Sequence, residues 1–132
     1  VVVMEGGVNT AGNLLLVNEQ GAIASPSIPT AGLEIMAEAM GVQVAATTIA
    51  GQDVVGSLGV TTDQGVLLHP DVTPDEVQII QDVLGVSPMV GTVAFGSPYV
   101  GAGVCACNNG AVAGTETTGP ELNRMEDALG LI

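Results

Sequence analysis

The chain has 132 residues, 47% hydrophobic but only 2% aromatic, so one body of ordinary domain size can form a core from Val, Ile, Leu, Ala and Met. Fourteen acids face a single base, Arg124, giving a net charge of -13, which excludes a phosphate-clasping surface of clustered Lys and Arg. No apolar run approaches the ~18 residues of a membrane helix and the start lacks a basic n-region, so a soluble, cytoplasmic protein is expected.

Three glycine series run in step. Gly12, Gly56 and Gly101 lie 44 and 45 residues apart, and the same steps separate Gly21, Gly65 and Gly110, and again Gly41, Gly85 and Gly130. A period of this length means an array or propeller of repeated units. The expected fold is therefore α+β, one repeat-built domain over 1–132, with units of about 10–53, 54–98 and 99–132 and with 1–9 as the end of a preceding unit. Each unit is expected to run strand, turn, strand, helix, strand.

In chain order, Val1-Val2-Val3-Met4 reads as the last strand of an earlier unit. The start without Met or cap marks Val1 as a cut point in a longer protein, or as the opening of a permuted three-unit ring. The first unit then offers a strand at 13–17, a turn Asn18-Glu19-Gln20-Gly21 and a strand at 22–24. Its helix follows Pro29-Thr30, carries Leu33, Met36 and Met40 at helical spacing, and ends at Gly41. A third strand is expected over 42–49.

The second unit repeats this with strands at 57–61 and 66–68 around Thr62-Asp63-Gln64-Gly65. Thr73-Pro74-Asp75-Glu76 is a capping box with proline at the first helical position, and Val77, Ile80, Val83 and Leu84 form the apolar stripe before Gly85. A third strand is expected over 86–94. The last unit has strands at 102–106 and 111–113 around Cys107-Asn108-Asn109-Gly110, then Thr118-Gly119-Pro120-Glu121 and the stripe Leu122, Met125, Leu129. Glycine closes each turn because a tight hairpin needs a residue that tolerates positive φ. Eight of the fourteen acids lie in the helix segments, where a solvated outer face is expected.

Cys105 and Cys107 are the only cysteines. Two apart on a strand, they share a face and are poorly placed for a disulfide with each other. The one histidine, His69, lies in another unit, so no metal set is apparent, and the thiols read as small buried strand residues. No lysine follows any glycine, which excludes a Walker-type loop. No cofactor and no metal are expected.

The units resemble those of the translation initiation factor 6 family. The likeness is carried by Ala11-Gly12-Asn13, Thr48-Ile49-Ala50-Gly51, Val55-Gly56-Ser57, the stretch from Asp63-Gln64-Gly65 through His69-Pro70, and Asp82-Val83-Leu84-Gly85-Val86. It continues through Gly91-Thr92-Val93, Val100-Gly101-Ala102 and the tail Thr117-Thr118-Gly119-Pro120-Glu121-Leu122 to Ile132. The resemblance implies a pentein-type β/α-propeller, of which this chain matches the last three of five units. It implies binding to the large ribosomal subunit, chiefly to one ribosomal protein near the sarcin–ricin loop, so that the small subunit is kept from joining. Little direct nucleic-acid contact is implied, in keeping with the charge. The missing units would come from a longer chain, a partner copy associating through open sheet edges, or closure into a smaller ring.

Two alternatives stand beside this. A pentein-type guanidine-modifying hydrolase would need a thiol, a base and carboxylates in one pocket, drawn from Cys105 or Cys107, His69, Asp63 and Asp71. A reduced or engineered three-unit ring would have no native activity. For a binding protein, the expected partner-contact residues lie in the segments between units: Gly12, Asn13, Asp53, Ser57, Tyr99 and Ala102. The resemblance implies that Asn13 lies on the ribosome-facing surface; a plain turn role for Gly12-Asn13 is the alternative. For Tyr99 the alternative is packing against a neighbouring unit.

Overall fold

The computed structural model describes residues 1–3 and 10–132. Val1, Val2 and Val3 are exposed and carry no strand, and the rest of the expected leading strand, with Asn9 of the first contact segment, lies outside the described residues.

The chain writes one order of elements nearly three times. First come α1 (Ala11–Leu14), β1 (Leu15–Val17), β2 (Gly21–Ala24), α2 (Thr30–Met40) and β3 (Gln43–Ala46). Next are α3 (Val55–Leu58), β4 (Gly59–Thr61), β5 (Val66–Leu68), α4 (Pro74–Leu84) and β6 (Pro88–Val90). The last set is α5 (Val100–Gly103), β7 (Val104–Cys107), β8 (Gly110–Ala113) and α6 (Gly119–Ala128). The hairpins and long helices stand where they were expected, but Gly21, Gly65 and Gly110 do not adopt the positive φ expected of them. Both capping boxes close, Thr73 with Glu76 and Thr118 with Glu121. Gly41 and Gly85 cap α2 and α4 in the left-handed region at φ 67 and 66. The four-residue helical turns that open each set were not expected, and they absorb the first residues of the predicted strands. One turn is too short to show an apolar periodicity.

Within a set, the hairpin strands pair antiparallel and the strand after the helix returns parallel to the second hairpin strand, Ile23 opposite Ala45 and Leu67 opposite Met89. The pentein-type propeller is corrected here. The strands form three small separate sheets, β1-β2-β3, β4-β5-β6 and β7-β8, and none closes. The pairing stays inside each set because a helix, rather than a strand, lies between one sheet and the next.

That helix placement builds the core. Side chains alternate across a strand, so each sheet has two faces to cover. α4 lies between the first two sheets: Ile80, Val83 and Leu84 share one cluster with Leu16 and Ile23 of the first and with Val66 and Leu68 of the second. α6 lies likewise between the second and third, where Met125, Ala128 and Leu129 join Val60, Leu67 and Val104. Backbone approach is close enough that a Cβ at Gly21 would overlap the Val83 carbonyl oxygen, and one at Gly65 that of Ala128. α2 covers the other face of the first sheet, with Met36 against Leu14, Ala24 and Ile28.

Two further expectations fail for reasons of neighbourhood. Cys105 and Cys107 are exposed, although Leu16 and Val60, the equivalents of Cys105, are buried, because α4 and α6 cover those two residues and no described element covers β7 on that side. Glu76 and Glu121 do not sit on a solvated outer face. Glu76 is buried, and both carboxylates reach a loop of the preceding set.

Candidate functional site

The short helical turns α1, α3 and α5 stack on one another, which brings several expected contact residues together. A Cβ at Gly56 would overlap the Gly12 carbonyl oxygen, and one at Gly101 that of Gly56, so glycine at these steps lets backbones touch. Beside them Asn13, Ser57 and Ala102 occupy the same place in each turn. The Ser57 hydroxyl donates to Asn13 Oδ1 at 3.1 Å, while the exposed Ala102 offers only a methyl group. Gly12 and Asn13 are exposed in α1, and Asp53 is exposed two residues before α3. Tyr99 caps α5 from outside the helix; it is 44% exposed, and its ring meets His69 edge-on at 6.1 Å. The packing expected as its alternative role is present, since His69 belongs to the preceding unit.

The hairpin turns form a second ladder. The backbone N–H of Glu19 donates to Asp63 Oδ1 at 2.8 Å, and that of Asp63 donates to Asn108 Oδ1 at 2.9 Å. The Asn108 amide returns a bond to Asp63 Oδ2 at 2.7 Å. The Asn108 amide and then the Glu19 N–H hold the Asp63 carboxyl below its ordinary value. Behind these turns, Asn18 Nδ2 donates to the Leu84 carbonyl and Thr62 Oγ1 to the Leu129 carbonyl, which ties off two helix ends.

Two carboxylates clasp the loops that leave the sheets. Glu76 accepts from Thr48 Oγ1 at 2.5 Å, Ala50 N–H at 2.8 Å and Gly51 N–H at 3.2 Å, as well as from Thr73 N–H in its own capping box. Glu121 accepts from Thr92 Oγ1 at 2.6 Å, Phe95 N–H at 3.0 Å and Gly96 N–H at 2.9 Å, besides Thr118. The clasped loops hold residues of positive φ: Ala50 54, Gly51 71, Ala94 48, Phe95 62 and Gly96 96. Only the three non-glycines are strained by this; the carboxylates offset the strain at Ala50 and Phe95, and the Ala94 N–H donates instead to Thr117 Oγ1 at 3.2 Å. Burial is the largest single influence on Glu76 and pushes its carboxyl up, but the bonds from Thr48, Thr73, Gly51 and Ala50 together outweigh it and leave it low. The Thr118 N–H, with Thr92 and the loop N–H groups, lowers Glu121 to about 2. Sequence reasoning found both capping boxes and missed this second use. The signal lay in the repeat itself: Thr48 and Thr92 lie 44 residues apart and Glu76 and Glu121 45, the two steps of the glycine series.

The residues of a hydrolase are not assembled. His69 is buried after β5, where its Nδ1 accepts the Asp71 N–H at 2.9 Å and shapes the turn. Ser25 does the same after β2 with Ser27. Cys107 and Asp63 line a shallow depression among the hairpin turns, together with Asn18, Thr62 and Asn108, and His69 is not part of its wall. Among the described residues no three of His, Cys, Asp and Glu converge to hold a metal ion, and no described helix is long and apolar enough to cross a membrane.

Comparison with known proteins agrees with the recurrent motifs. Translation initiation factor 6 of Natronomonas pharaonis is 54% identical over 132 residues, all of this chain and 60% of that protein. The factor of the same name from Haloquadratum walsbyi is 42% identical over 132 residues, and that of Methanocella arvoryzae 48% over 129, in each case across 58% of the relative. The chain thus spans about 60% of the length of these relatives. The model of the eIF-6 family matches residues 1–128, and the chain belongs to that family.

Proposed function

We propose that this chain is the three-unit portion of a translation initiation factor that docks on the large ribosomal subunit and keeps the small subunit from joining. Family membership and the relatives' shared name support the translation role. Charge supports the mode: fourteen acids and one base favour docking on a ribosomal protein over grasping RNA phosphates, and the family resemblance implies a site near the sarcin–ricin loop. The cytoplasm is the matching compartment.

The observation that carries the choice of surface is the stack of α1, α3 and α5. Gly12, Asn13, Ser57 and Ala102 lie in these turns, with Tyr99 immediately before α5 and Asp53 two residues before α3. Tyr99 supplies an amphipathic ring of the kind that anchors interfaces. Asn13 and Ser57 present a joined pair of polar groups whose remaining capacity points to solvent.

Co-sedimentation with purified large subunits tests this, with the Natronomonas pharaonis relative as reference. The chain is expected to pellet with the subunits and Asn13→Lys to lose binding, with both proteins folded by circular dichroism. Asn13→Lys binding as well as the parent would remove the proposed surface. The relative binding while this chain stays in the supernatant would place the docking determinants outside it.

A further inference from the structure

The two loops that join one set to the next are built alike, except at one residue. A single bridge closes each, Ile49 with Gln52 and Val93 with Ser97, so the first loop holds Ala50-Gly51 and the second Ala94-Phe95-Gly96. That extra residue is why the glycine series steps by 44 and then by 45. All three residues of the longer loop are exposed and have positive φ, and Phe95 at 62 lies where a bulky side chain rarely goes. Glu121 holds it there, accepting from the Phe95 and Gly96 N–H groups at 3.0 and 2.9 Å. Strain of this kind persists only where the surroundings impose it, and it gathers at binding sites.

The ring so held stands 80% in solvent. Phe95 is the only phenylalanine of the chain, and Tyr99, the only tyrosine, follows four residues later on the way into α5. Neither large aromatic is spent on the core; both stand on one stretch of surface. That stretch is also uncharged. Among fourteen acids and one base, none falls between Asp82 and Glu116. The openness of the loop does not come from the ends of the chain. A Cβ at Gly51 would meet nothing within 4 Å although two sets follow its loop, and one at Gly96 nothing although two sets precede it. The same place is therefore open at both joints, with neighbours present on either side.

We propose that Phe95 is an aromatic anchor, presented by this loop to an apolar pocket on the ribosomal-protein partner, with Tyr99 as its second contact. The proposal rests on the docking reading above and adds a residue to it. An uncharged aromatic stretch suits the desolvated centre of a protein interface and offers nothing to phosphates. Glu121 is the positioning residue. It fixes the backbone of Phe95 before any partner arrives, so less freedom is lost on binding and more of the buried ring area appears as affinity. The Glu121 clasp thereby has a use beyond closing a loop.

Co-sedimentation with purified large subunits over a concentration series tests this. The parent chain is expected to bind, and Phe95→Gly to weaken binding by more than about tenfold, as loss of an aromatic anchor does. Glycine takes a φ of 62 without strain, so the melting midpoint of Phe95→Gly should not fall; a clear fall would mark the ring as a packing residue instead. Glu121→Ala should weaken binding by roughly threefold to tenfold in the parent and by nothing further in Phe95→Gly, because it acts through the ring. The same loss with and without Phe95 would remove its positioning role. Phe95→Gly binding as tightly as the parent, while Asn13→Lys is lost, would overturn the anchor and leave the docking reading standing. A parent that stays in the supernatant would remove the anchor outright, and the Natronomonas pharaonis relative's own binding would then decide the docking reading. Self-association that disappears in Phe95→Gly, with subunit binding unchanged, would assign the ring to a contact between copies and overturn the proposal.

Discussion

The second and third sheets are built from nearly the same pattern and meet opposite fates. Leu67 on β5 is fully buried between two helices, while Val112, its counterpart on β8, is 74% exposed. Strand alternation prepared two apolar faces in each case, and the presence or absence of the next helix decided which faces became core. Burial in this chain is thus a property of the joint between units and is not carried by the residue type. Cys105 makes the same point, since a position occupied by Leu16 or Val60 in the core becomes an exposed thiol at the third sheet.

The sharpest way to break this comparison is a matched truncation. Leu67→Ala should destabilise the protein by about 2–5 kcal/mol, the usual cost of emptying a packed site, whereas Val112→Ala should stay within about 0.5 kcal/mol. Urea unfolding of the two variants checks this, and equal losses would mean that the third sheet is covered in solution. A glycine pair tests the close approach. Gly65→Ala forces a methyl onto the Ala128 carbonyl and should cost about 1–3 kcal/mol, while Gly110→Ala, with open space around it, should be near neutral by thermal unfolding.

The clasps sharpen the comparison at the level of loops. Glu76→Ala leaves the Thr48 hydroxyl and the Ala50 and Gly51 N–H groups without their acceptor in a half-buried place, and should cost about 1–3 kcal/mol. Glu121→Ala should cost less, because the Phe95 and Gly96 N–H groups can turn to water. The reverse order in urea midpoints would contradict this account.

The smallest effect concerns pH. Glu121 has a folded value of about 2 against 4.5 for the free group, so below 4.5 the unfolded chain binds more protons. Its stabilising contribution is complete above 4.5 and is lost as pH falls toward 2. Glu121→Gln should flatten the acid limb of stability in that window and leave the slope near neutrality unchanged. Urea midpoints across the acid range provide the measurement.

Much of each unit was legible from local chemistry. Thr73-Pro74-Asp75-Glu76 starts a helix through contacts spanning three residues, and Gly85 ends it through its own backbone freedom. The hairpin strand 66–68 is found where a turn closed by glycine and an apolar run predict it. The expected contact residues Asn13 and Ser57 share a hydrogen bond because they hold the repeat step. What was not legible depends on neighbours more than twenty residues away. Cys105 reads as core by its pattern and is exposed by its surroundings. Glu76 reads as a surface acid and lies beneath the Thr48 loop.

From its sequence alone this protein is determined in its period, its turns, its helix ends and its family, because those rest on short-range backbone requirements and on recurrent words. Tertiary structure decided the rest: that three open sheets form in place of a propeller, that each helix serves two sheets, and that α1, α3 and α5 stack into one surface. Such choices come from packing between units, where the free energy of burial belongs to a pair of surfaces and cannot be assigned from either one alone.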